Sequence, residues 1–92
     1  MFIRVDPRQR EPLQLQIYES VRRAILGGVL SPGARLPSSR ELADDLGISR
    51  LTAVLAFEQL AAEGYITSRV GAGTFVNREL PDTGANVPVG ER

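Results

Sequence analysis

Between Ser38 and Leu60 the stretch SSRELADDLGISRLTAVLAFEQL permits two helices with almost nothing between them. Ser38-Ser39-Arg40-Glu41 fits the S-x-x-E capping box, in which the serine hydroxyl takes the amide of the third helical residue and the glutamate reaches back to the serine N–H. Leu42, Ala43 and Leu46 follow as the buried side, and Gly47 suits the left-handed residue that ends a helix. Only Gly47 and Ile48 intervene before Ser49, which caps a further helix from Arg50 to about Glu63, stopped by Gly64. Ala53, Ala56, Phe57, Leu60 and Ala61 share one face of it and are expected to be buried.

The flanks complete the architecture. Leu13, Ile17, Val21 and Ile25 recur every four residues and predict a helix that begins at Pro12 and stops at Gly27-Gly28. LSPGARLP, residues 30–37, is turn chemistry, with Pro37 keeping Leu36 out of helical geometry. YITSR (65–69) and TFVN (74–77) read as two short strands around a tip, Val70-Gly71-Ala72-Gly73, whose glycines permit positive φ. Residues 1–11 read as an N-terminal arm, 12–78 as the folded domain, and 79–92 as a linker. The expected fold is α+β: three helices, the last two forming a helix-turn-helix, followed by a two-stranded hairpin, which is the winged variant.

What the chain lacks narrows its chemistry. It has no Cys and no His, and all eleven basic residues are Arg. That removes disulfides, thiolate zinc sites, the commonest general base and the Schiff-base amine. No catalytic set and no metal site are expected, and a small enzyme is the weakest reading. No segment approaches the roughly 20 apolar residues of a membrane helix, so no membrane partner is expected and a cytoplasmic location is.

Net charge is zero, which by itself argues against a nucleic-acid partner. Its distribution argues the other way. Residues 65–78 carry two Arg and no acid, and residues 1–37 carry six Arg against three acids. The third helix, about 49–63, has a width the DNA major groove admits. Its first turn, Ser49 to Thr52, offers free amides and short hydroxyls to phosphate. Arg50 can grip phosphate or the O6/N7 edge of guanine. Ser38, Ser39 and Arg40 open the second helix in the same way, Arg35 lies just before it, and Arg69 stands at the base of the tip. Gly71 and Gly73 let a bare backbone approach the adjacent groove at 70–73. They do not form a nucleotide loop, which requires strand, glycines and then helix.

Leu51, Val54 and Leu55 turn away from the buried face of the third helix. Leu51 and Val54 suit thymine methyls. Alternatively the three form a protein-contact patch, and the chain is a winged-helix protein–protein interaction module.

Residues 12–76, from PLQLQIYESVRRAILGGVL through SPGARLPSSRELADDLGISR to AFEQLAAEGYITSRVGAGTFV, resemble the DNA-binding domain of GntR-family transcriptional regulators, and within them the MocR-like subfamily. The resemblance implies a bacterial transcription regulator that is not an enzyme in this chain, and a double-stranded DNA operator as partner. It implies a homodimer in the full-length protein and pyridoxal phosphate in an absent C-terminal effector domain, with no cofactor in this chain. By the same resemblance, DNA-contacting roles fall on Arg40, Ser49, Arg50, Thr52, Gly71 and Gly73. The sequence departs from the family pattern at Leu51, usually polar, and at Val54, often Arg.

Overall fold

Each helix boundary follows from the residue that closes it. In the computed structural model, which describes residues 3–69 and 71–80, α1 spans Leu13–Leu26, α2 Ser39–Leu46 and α3 Arg50–Ala62. Pro12 sits one step before α1, extended at ψ 148°, and its carbonyl accepts the first helical bond from Gln16 at 3.0 Å. Gly47 (φ +68°) ends α2, and the Ile48 amide turns back to the Ala43 carbonyl at 3.1 Å, the Schellman closure. That closure throws Ile48 onto the core and leaves Ser49 free to start α3.

The expected hairpin is one part of a three-stranded antiparallel sheet. Strands β1 (Arg35–Leu36), β2 (Ile66–Arg69) and β3 (Gly73–Val76) lie in the order β1-β3-β2. Gly33 (φ +84°) turns the chain after Pro32, and its amide meets the Val76 carbonyl at 2.9 Å. The Val76 amide in turn reaches the Ala34 carbonyl at 2.8 Å. Segment 30–37 is therefore turn and strand together, with Pro37 holding Leu36 extended as expected. In the register Leu36↔Thr74↔Ser68 and Arg35↔Phe75↔Thr67, side chains alternate across the sheet. Leu36, Thr74, Ile66 and Val76 are buried against the helices.

The core joins Ile17, Val21 and Ile25 of α1 to Leu42 and Ala43 of α2, Ala53, Ala56, Phe57 and Leu60 of α3, and the sheet. Ala61, expected on that buried face, is exposed: it lines the open groove between α3 and the sheet, beside Ser68 and Thr74. Polar clamps finish the packing. The Tyr18 hydroxyl donates to Glu63, and burial, reinforced by that bond, pushes its pKa up to about 12. The phenol thus stays protonated, and its contribution to stability is complete below pH 10 and lost as pH rises through about 12. Arg22 donates to the Tyr65 hydroxyl at 3.1 Å.

The segment before α1, expected as an arm, is anchored to the bundle at Ile3, Val5 and Asp6, while residues 7–11 are exposed. Ile3 is 1% exposed. The buried Gln16 amide accepts from the Asp6 N–H at 2.6 Å and donates to the Asp6 and Glu11 carbonyls at 3.0 and 2.8 Å. Of the expected 79–92 linker, residues 81–92 lie outside the described residues, and Leu80 packs on the core.

Candidate nucleic-acid interface

The start of α2 is built by the expected capping box. Ser38 Oγ accepts from the Glu41 N–H at 3.0 Å, and the Ser38 N–H donates to Glu41 Oε1 at 2.9 Å. These bonds, led by the one from the Ser38 backbone, hold the Glu41 carboxyl below its usual range, with Arg35 close enough to assist. Two amides of the first turn, Ser39 and Arg40, are left open, as helix geometry requires. Arg40 is exposed, and it forms no intrahelical ion pair with Asp44. Its charge is therefore available to a partner.

Ser38→Ala should cost about 1 kcal/mol of stability, the usual worth of such a cap. A thermal melt would show this as a fall of about 4–8 °C in Tm. A depressed carboxyl stabilises above its unfolded pKa and stops doing so as pH falls through its folded one. Parent and variant lose that part alike, since alanine keeps the N–H that donates to the Glu41 carboxylate, whereas the deficit from the lost Oγ bond should persist in acid. A variant that melts with the parent at neutral pH would contradict the cap.

The start of α3 repeats the design. Ser49 Oγ accepts from the Thr52 N–H at 3.1 Å and lies 3.2 Å from the Thr52 hydroxyl. The Arg50 and Leu51 amides remain open, the first turn holds no acid, and Arg50 is exposed with no carboxylate in ion-pair range among the described residues. Leu51 (65% exposed) and Leu55 (37%) face outward, as expected, while Val54 is half-buried.

The wing is closed by the Ala72 amide on the Arg69 carbonyl at 3.0 Å, with Gly71 at φ +79°. Gly73 has φ +122°, and a Cβ there would come within 2.8 Å of Arg35 Nε, so Arg35 lies against the base of the wing. Arg69 stands over the Phe75 ring at 5.4 Å, a cation–π distance. Ser38, Ser39, Val54, Glu58, Ser68 and Thr74 line one shallow groove, so α2, α3 and the helix-facing side of the wing form a continuous surface. Arg35 pairs beside Phe75, on the other side of the sheet.

Of the residues singled out from the sequence, Ser38 and Ser39 thus lie at the groove, Arg40 is exposed in the first turn of α2, Ser49 to Thr52 are at the tip of α3, and Arg35, Arg69, Gly71 and Gly73 at the wing. Glu58, Ser68, Thr74 and Phe75 were not among them. The alternation of polar and apolar residues in GTFV was the only signal for the last two. No helix among the described residues is long and apolar enough to cross a membrane.

Residues 13–76 match the model of the gntR family of bacterial regulatory proteins. MocR of Rhizobium meliloti is 46% identical over 71 residues, which are 77% of this chain and 14% of that protein. YtrA from Sulfolobus acidocaldarius, a GntR-family transcription factor, superposes with a TM-score of 0.79 at 35% identity, over 87% of this chain and 84% of that one. The DNA-binding domain of AraR, solved in complex with operator ORX1, superposes with a TM-score of 0.69 at 31% identity, over 78% and 89% of the two chains. The chain spans 14–17% of the length of the first curated regulators it matches.

Proposed function

Because the chain belongs to the gntR family of bacterial regulatory proteins and is a winged-helix DNA-binding domain of that family, we propose how it holds an operator. Residues 12–78 are the binding unit. The tip of α3 enters the major groove, the start of α2 grips backbone beside it, and the wing reaches the neighbouring groove. Arg50 reads or anchors at the tip, Arg40 neutralises a phosphate, and Ser38, Ser39, Ser49 and Thr52 fix the register. Gly71 and Gly73 bring bare backbone close, with Arg35 and Arg69 charging the wing. The observation that carries this reading is the pair of helix starts, each with open amides and an exposed Arg that has no carboxylate in ion-pair range among the described residues. Such ends attract anions, and the AraR domain of the same fold is held on operator DNA.

The relatives are transcriptional regulators much longer than this chain. We propose that the assembled regulator works in the cytoplasm as a homodimer on paired half-sites, joined mainly through a further domain. Pyridoxal phosphate in that domain fits the MocR-like relatives. It does not fit these residues, because its imine needs a lysine amine and the chain contains none.

Selection of duplexes from a random library, followed by anisotropy titration over a range of salt, tests the reading. Arg40→Ala should weaken selected and random duplexes alike. It should also flatten the plot of log K against log salt by about 0.9, the share of one phosphate contact. A loss confined to the selected duplex would remove Arg40 from the backbone role. A chain that leaves all DNA unbound at low ionic strength would overturn the function itself.

A further inference from the structure

The outward face of α3 is apolar where it is most prominent. Leu51 is 65% exposed and Leu55 37% exposed, and Val54 shares their side of the helix at i+3 from Leu51. Val54 is half-covered by the groove beside α2 and the wing, while Leu51 and Leu55 stay exposed among the described residues. What surrounds Leu51 limits what can cover it. Arg50 precedes it, the open Arg50 and Leu51 amides lie at its base, and the Ser49 and Thr52 hydroxyls flank it. The first acid along this helix is Glu58. The group that seats here is therefore anionic at its rim and apolar at its centre. Duplex DNA meets both demands: phosphates form the rim, and the apolar group that base edges present in the major groove is the C5-methyl of thymine.

We infer that Leu51, backed by Val54 and Leu55, is a specificity-determining residue that reads a thymine methyl in each half-site, selecting that base by packing rather than by hydrogen bonds. This rests on the DNA-binding reading above. Glu58, exposed one turn beyond Leu55, opposes phosphates and confines close approach to the first two turns of α3.

The test uses the 92-residue chain and a duplex selected from a random library. Each thymine is replaced singly by deoxyuridine, which removes that methyl and nothing else. One or two positions per site should lose about 4-fold in affinity, equivalent to about 0.8 kcal/mol for one buried carbon. Leu51→Ala, at an exposed site where folding is not at stake, should bind the thymine and uracil forms equally. If every thymine of a selected duplex can lose its methyl without effect, the inference falls and DNA binding stands. If Leu51→Ala keeps the thymine preference, or alters only the oligomeric state in sedimentation, Leu51 is not the reader. If no duplex is selected over random sequence, both readings fall together.

Discussion

Leu42→Ala should lower the unfolding free energy by about 3 kcal/mol or more, the range for truncating a fully buried leucine. Leu42 is 0% exposed and is the main apolar side chain with which the eight-residue helix α2 enters the core. A domain of this size has a total stability of roughly 5–15 kcal/mol, so the loss is a large share of it. The melting temperature should drop by about 12–24 °C, and denaturant unfolding should show a lower midpoint. DNA binding should decline with temperature in step with the unfolded fraction, because α2 carries Arg40 and the Ser38 cap to the surface. A loss below about 1 kcal/mol would mean that Leu42 is not held as the structure places it.

Arg50→Ala should do the opposite: leave the melt within about 0.5 kcal/mol of the parent, as an exposed helical substitution does, and weaken a selected duplex by about 1–3 kcal/mol. That is roughly 5- to 150-fold in an anisotropy titration at fixed salt. Arg50→Lys separates the two roles open to the guanidinium. Lysine keeps a charge for phosphate but lacks the planar fork that meets both O6 and N7 of guanine. Full recovery with lysine assigns Arg50 to the backbone, and continued loss assigns it to a base. Unchanged affinity in the alanine variant would remove Arg50 from the interface.

The parts of the fold legible in the sequence are those fixed by short-range chemistry. Ser38 and Glu41 lie three residues apart and answer each other directly; Gly47 and Ser49 do the same work for the next boundary. The alternation in ITSR and GTFV survives as the helix-facing and solvent-facing sides of the wing. Strand β1 was not legible, because two residues have no period, and Arg35 and Leu36 become a strand only by meeting Phe75 and Thr74, about forty positions away. Ile3 lies in MFIRV, where no helical or strand period singles it out for burial, and the segment is tied down by the clamp that Gln16 closes on Asp6 and Glu11. Ala61 misled because helical spacing places it near Phe57, while in the fold it lines the open groove between α3 and the sheet. At the interface Arg50 and Arg69 have no carboxylate three or four residues away in the sequence, unlike Arg40 beside Glu41 and Asp44, whereas Glu58, Ser68 and Thr74 come together only once wing and α3 meet.

The short strand Arg35–Leu36 also sets a rule for protein engineering. Because the Gly33 amide and the Ala34 carbonyl both fasten Val76, the projecting loop is hung from the same peptide that feeds the cap of α2. Transplanting 66–76 alone onto a sister scaffold would move a flap without its hinge plate. A chimaera that preserves its angle to the duplex has to bring 33–36 along.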